Sequence, residues 1–254
     1  MSDSHESDSA ANSSDTSPES TPSSSSEKQP TLSPQLWLAA GLFAAVLTTV
    51  AAQYTMSHQA LLGEEYQELA EMMTLNDEQN ARFFELRNIA DNANEQLLLA
   101  TCGAAFAGVF GLFAGVIHRK PLMGVIGAAV GVGVAYGISL LASQLVIDLQ
   151  KPARLEGGDM AAILMHATQW ALMGVAAAIA ITVASLNLKT GLLALGVMIV
   201  AAILGSLGYV TIGMILDPMN RTGNATPAGG SALYLWTALA PLIAGAILSR
   251  GAKA

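Results

Sequence analysis

Three residues close to one end of an apolar stretch carry side chains that could do chemistry: His166, Gln169 and Trp170. His166 and Trp170 are four residues apart and share one face of a helix, with Gln169 beside them. An imidazole titrates near neutral pH and can act as a switch or a metal ligand. No second His, Cys or acidic residue stands at metal-ligand spacing, so the sequence predicts no metal site. We expect an interfacial cluster, because Trp favours the headgroup zone of a membrane.

Hydroxyl groups inside apolar stretches form a second set of polar side chains. The candidates for lining a path for a small solute are Tyr136, Ser139, Ser143, Thr182, Thr211 and Thr237. Thr237 stands four residues before Pro241, and proline leaves the carbonyl at that position without its helical hydrogen bond. Because such hydroxyls usually bond their own helix or a neighbour, packing is the favoured interpretation.

The sequence predicts no enzyme and no cofactor, since it contains no paired carboxylates, nucleophile motif or metal set. We place no Asp, Glu, Lys or Arg well inside an apolar stretch. This distribution argues against a proton-coupled pump, which needs ionisable groups near the membrane midplane. The single cysteine, Cys102, excludes an intrachain disulfide.

Six apolar stretches must position these groups, and each is close to the length of about 20 residues that a helix needs to cross a bilayer. The chain is 52% hydrophobic and only 12% charged, with a positive mean hydropathy, which is far from the composition of a soluble domain. The sequence predicts an all-α, polytopic transmembrane helical bundle. The six predicted spans are residues 36–56, 97–117, 122–147, 161–186, 191–216 and 232–248.

The N-terminal region is predicted to be a disordered tail over residues 1–34, because it is acidic, rich in Ser and nearly devoid of large apolar side chains. The membrane domain is then residues 35–254. Val50-Ala51-Ala52 also resembles a signal cleavage site. An uncleaved anchor is favoured, since Lys28 is the only Lys or Arg before it.

The segment from residue 57 to residue 96 is the one sizeable polar stretch between spans, and it holds nine acids against Arg82 and Arg87. Apolar residues recur there at helical spacing in two runs, and Asn76 followed by Gln79 has the pattern of a capping box. We therefore predict an extramembrane helical hairpin whose first arm continues the first span. The first run is Leu62, Tyr66, Leu69 and Met73, and the second is Phe83, Leu86, Ala90, Ala93 and Leu97.

Small residues at intervals of four predict close helix packing in the second and third spans. They are Gly103, Ala107, Gly111 and Gly115 in the second, and Gly127, Gly131, Ala135, Ser139 and Ser143 in the third. Static packing is favoured over a moving interface or a self-association surface. The sequence is compatible with a homo-oligomer. Phe110, off this stripe, is expected to face lipid.

Lys and Arg in the short loops predict the orientation. Six such residues fall on the side of the N-terminal tail and three on the side of the hairpin, arginines of the hairpin omitted. The sequence predicts a bacterial cytoplasmic-membrane protein with both termini in the cytoplasm.

The function that we expect is a non-enzymatic membrane scaffold or interaction protein with a protein partner at residues 57–96. The alternative is a channel or transporter for a small neutral solute. The net charge of -8 argues against nucleic acid as a partner.

Overall fold

The computed structural model describes residues 33–58, 63–72, 74–155, 159–216, 224–225, 227 and 230–251. Within them the chain is helical and contains no strand. Six of the helices are long and apolar enough to cross a membrane, so the chain is an all-α integral membrane protein as predicted. The predicted tail lies almost entirely outside the described residues. The helices are α1 (Ser33–Ser57), α2 (Glu64–Glu71), α3 (Asp77–Ile117), α4 (Pro121–Leu155), α5 (Asp159–Ser185), α6 (Leu188–Leu216) and α7 (Gly230–Gly251).

The polar segment, residues 57–96, differs from the prediction at its first arm. The helix of the first span does not continue outward, since α1 ends at Ser57 and α2 starts only at Glu64. Ser57 Oγ donates to the carbonyl of Tyr54 (2.8 Å), which caps the end of α1. The predicted capping box is confirmed: Gln79 N donates to Asn76 Oδ1 (2.8 Å) and Asn76 N donates to Gln79 Oε1 (3.1 Å).

Two helices run past the predicted span boundaries. α3 is one helix of 41 residues, about 60 Å long, which is twice the thickness of the hydrocarbon core. α4 continues to Leu155, beyond the predicted end of the third span at residue 147. Hydropathy marks where a helix leaves the apolar zone, whereas the backbone hydrogen bonds that define the helix continue into the polar sequence.

Five of the helices close into a ring, in the order α1, α3, α5, α6, α7 and back to α1. α4 packs on α3 and α5. α3 and α5 are the most enclosed of the six long helices. Side chains on these two helices consequently meet protein on most sides.

The turn between α3 and α4 brings two glycines into direct contact. α3 ends in a Schellman motif, in which Lys120 N donates to Gly115 O (2.7 Å) and Arg119 N donates to Val116 O (3.0 Å). Arg119 takes the left-handed conformation that this motif requires (φ 56°). A Cβ on Gly124 would lie 2.9 Å from Gly115 Cα, so only glycine fits there.

Small residues also meet further along α3 and α4. A Cβ on Gly103 would lie 3.0 Å from Ala135 Cβ, and a Cβ on Gly111 would lie 2.8 Å from Ala128 N. A contact that the spacing of residues did not predict joins α1 to α7, where a Cβ on Gly41 would lie 3.1 Å from Gly245 Cα. Next to it, Thr48 Oγ1 donates to the carbonyl of Thr237 (3.1 Å), which Pro241 leaves without its helical donor.

Phe110 does not face lipid, and that prediction is wrong. Its side chain is fully buried between the ring of Trp37 (centroids 6.2 Å apart) and the ring of Phe106 (5.0 Å). Because α3 contacts α1, α4 and α5, this position has no lipid-facing side.

Candidate functional site

Aromatic rings occupy the inside of the helix ring in a continuous series, here called the aromatic column. Each of the five ring helices supplies at least one member, and neighbouring centroids lie 4.8 to 6.3 Å apart. At such separations aromatic pairs attract each other beyond their buried area. The members, in spatial order, are Trp37, Phe110, Phe106, Trp170, Trp236, His166 and Tyr209.

A buried group of hydrogen-bonded polar side chains adjoins the column at Trp236 and His166. This group, here called the polar cluster, comprises Glu95, His166, Gln169 and Trp236. Gln169 Nε2 donates to Glu95 Oε1 (2.9 Å) and to the carbonyl of Ala225 (3.0 Å). Its Oε1 therefore faces His166 Nδ1, at 2.9 Å. Trp236 Nε1 also points at His166 Nδ1, at 3.1 Å. The cluster thus joins α3, α5, α7 and the connection before α7.

The interfacial placement predicted for His166, Gln169 and Trp170 is wrong. Their exposed fractions are 0%, 0% and 2%, so all three lie inside the protein. Their spacing correctly indicated a shared helix region, with His166 and Gln169 in contact across one turn. The sequence did not indicate that α5 is one of the two most enclosed helices, and this enclosure is why the three side chains are buried.

Glu95 corrects a second expectation, because an acidic residue does lie inside the bundle. The sequence assigned it to the external segment, yet its side chain is only 1% exposed. Among the described residues, its Oε2 has no hydrogen-bond partner, and neither does the buried hydroxyl of Tyr209. A buried carboxyl group without full partnering is costly, and such groups in membrane proteins commonly mark function. The cue that was available is the helical register, which puts Glu95 one turn before the buried Leu98 and Leu99.

The residues predicted to line a solute path are not brought together. Tyr136 and Thr211 are exposed on the outside of the bundle. Ser139 and Thr182 donate to carbonyls of their own helices, each at 2.7 Å. Thr237 donates to the carbonyl of Leu233 and contacts Thr49 Oγ1 of α1 (2.6 Å). Ser143 is buried.

A second candidate site is a groove between α2 and the first turns of α3. The ring of Tyr66 stacks on that of Phe83 (4.5 Å), and Arg82 binds Glu65 (2.8 Å) and Glu85 (2.9 Å). The hydrogen bond from Arg82 holds the pKa of the Glu65 carboxyl below its usual range. The groove encloses about 540 Å³. Its lining comprises Glu65, Glu68, Leu69, Met72, Glu78, Gln79, Ala81, Arg82 and Glu85.

Comparison with protein-family models, with curated proteins and with solved structures finds no match to this chain. Its class is that of an integral membrane protein built from a helical bundle. Any functional proposal therefore depends on the groove and the polar cluster.

Proposed function

We propose that this protein is a non-enzymatic membrane scaffold whose residues 57–96 form an external helical hairpin that binds a protein partner. In this proposal it lies in a bacterial cytoplasmic membrane with both termini in the cytoplasm. The groove between α2 and α3 receives a basic amphipathic helix of the partner. The observation that carries the proposal is the acidic rim of this groove around an apolar floor.

The charges around the groove support a cationic partner. Four glutamates and one arginine line it. Arg82 is already engaged by Glu65 and Glu85. Glu68 and Glu78 have no ion pair within the described part of the chain, and they remain available to Lys or Arg of a partner.

The apolar residues of the groove support an amphipathic partner. Leu69 is buried against α3, while Met72 is 45% exposed at the groove. Further along α3, Phe84 and Ile89 are 53% and 59% exposed and line a smaller recess of about 390 Å³. If residues 57–96 are external as proposed, these exposed apolar side chains mark a contact surface.

The interior of the bundle favours the scaffold over the alternative of a channel or transporter. The aromatic column occupies the inside of the helix ring. Tight glycine contacts between α3 and α4 and between α1 and α7 fit a static bundle better than a moving gate.

A peptide-binding experiment tests the proposal. The full protein in phosphatidylcholine nanodiscs is titrated with a fluorescent amphipathic peptide of Lys, Ala and Leu, with empty discs as the blank. We expect binding that weakens with salt. In the variant E68Q/E78Q, binding should weaken about 2- to 30-fold, because each exposed ion pair contributes about 0.2 to 1 kcal/mol.

The matched control is E64Q/E71Q, which removes the same amount of charge, here entirely from α2, at positions outside the groove lining. Its affinity should stay close to that of the parent protein. Equal weakening in both variants would show that the peptide responds to the overall negative charge and does not bind in the groove. A peptide of Glu, Ala and Leu that binds as tightly as the Lys peptide would contradict the proposal.

A further inference from the structure

His166 Nδ1 faces two hydrogen-bond partners that require opposite protonation of this nitrogen. The indole N–H of Trp236, 3.1 Å away, can only donate, so it requires a lone pair on Nδ1. The Gln169 Oε1 atom, 2.9 Å away, can only accept, so it requires a proton on Nδ1. One nitrogen cannot meet both requirements in the same protonation state.

Rotating the Gln169 amide would move the conflict from His166 to the other side of the amide. Its Nε2 has two acceptors, the carboxylate of Glu95 and the carbonyl of Ala225. In the reversed orientation an amide oxygen would face both of these oxygens at about the same distances. The observed orientation is therefore the one that its surroundings support.

Each protonation state of His166 satisfies a different helix. In the neutral ring with the proton on Nε2, Nδ1 accepts from Trp236 and ties α5 to α7. In the imidazolium, as in a neutral ring with its proton on Nδ1, Nδ1–H donates to Gln169 Oε1, and Gln169 in turn donates to Glu95 of α3. The Trp236 N–H then loses its acceptor on the ring.

The titratable groups described near His166 come from several helices. Glu95 of α3 is linked to the ring through Gln169. Tyr209 of α6 packs edge-on against the ring (4.8 Å), while Trp236 of α7 does not titrate. On α5 itself and on α4, the nearest acids in sequence towards this end are Asp159 and Asp148, and both are exposed.

We infer that His166 is a proton-operated latch between α5 and α7. The neutral ring holds Trp236 and so fixes the outer part of α7 on α5. When Nδ1 takes up a proton, it exchanges its hydrogen bond with Trp236 for one with Gln169, and the indole is released. This inference does not depend on the partner-binding groove, which has no residue in common with the polar cluster.

The test is NMR of histidine and tryptophan side chains in a protein with one histidine. His5, His58 and His118 are replaced by Gln, which leaves His166 labelled with ¹⁵N. We expect Nδ1 without a proton at alkaline pH and with one at acidic pH. The indole N–H resonance of Trp236 should shift with the same midpoint. A proton on Nδ1 throughout the titration, or an indole resonance that does not follow it, overturns the latch.

Two tryptophan variants provide a matched pair. Trp236→Phe removes the donor that stabilises the unprotonated Nδ1, so the midpoint of the titration should differ from that of the parent protein. Trp170→Phe changes a neighbouring ring of the column that has no hydrogen bond to His166 among the described contacts, and it should leave the midpoint in place. Equal shifts in the two variants would contradict the latch.

Discussion

At the residue scale, Gly131 and Gly133 differ sharply although they are only two positions apart on α4. A Cβ on Gly131 would lie 2.8 Å from Ala180 Cβ and 2.9 Å from Ala107 Cβ, closer than real Cβ atoms approach. A Cβ on Gly133 would meet nothing within 4 Å. The helix turns through about 200° between them, so one faces the bundle and the other its outside.

Gly131→Ala should therefore destabilise the protein by about 1 to 3 kcal/mol, the usual range for overpacking a fitted interface. Gly133→Ala, with the same gain in helix propensity, should be neutral or slightly stabilising. Reversible unfolding in mixed micelles, followed by circular dichroism, measures both. If both changes are tolerated alike, the small residues of α4 do not define a tight interface.

The sequence revealed the helical periodicity of these residues but not the rotation of each helix in the bundle. The sequence does not distinguish Gly127 and Gly131 from Gly133. The contacts of α4 with α3 and α5 show which of these glycines are tightly packed. The same applies to Glu95. In the sequence it is the last acidic residue of a polar segment, whereas its burial depends on which helix covers that face of α3.

At the element scale, α2 is held on α3 by few interactions. They include the stack of Tyr66 on Phe83 and the ion pair of Arg82 with Glu65. The N-cap of α3 was predictable from Asn76 and Gln79, because a capping box is a local pattern. The end of α1 was not, since apolar periodicity resumes beyond it and masks the break.

The contact between α2 and α3 should loosen in acid. Arg82 lowers the pKa of Glu65 in the folded protein, so this pair stabilises the contact above the ordinary pKa of a glutamate. That contribution is lost in acid, as the pH falls through the lowered pKa. Spin labels at Gln67 and Asn80, measured by electron paramagnetic resonance, should report a broader distance distribution there.

Arg82→Gln serves as the control for this prediction. Without the guanidinium, the distribution should already be broad at neutral pH and should change less on acidification. A distribution that stays narrow in the parent protein throughout an acid titration would show that Glu65 does not hold α2 in place.

At the scale of the whole molecule, the two ends of the bundle differ in charge and in construction. At one end, Lys120 Nζ donates to the carbonyl of Ser185 (3.1 Å), which joins the short turn after α3 to the short turn after α5. At the other end lie the acidic groove and the polar cluster. Hydropathy sufficed to predict six spans because each helix satisfies its own backbone in lipid. The order of helices around the ring depends on side-chain contacts over long sequence separations, which no local pattern encodes.

The Lys and Arg distribution predicts which of these ends is cytoplasmic, and the last prediction tests that orientation. Cys102 is buried, and its replacement by Ala leaves a background without thiols. Single cysteines are then placed at Glu71, at the acidic end, and at Lys189, at the basic end; both positions are exposed. Because positive residues are retained in the cytoplasm, an impermeant maleimide should label position 71 in intact cells and position 189 only after permeabilisation. The reverse pattern would place the groove in the cytoplasm and would require any partner to be sought there.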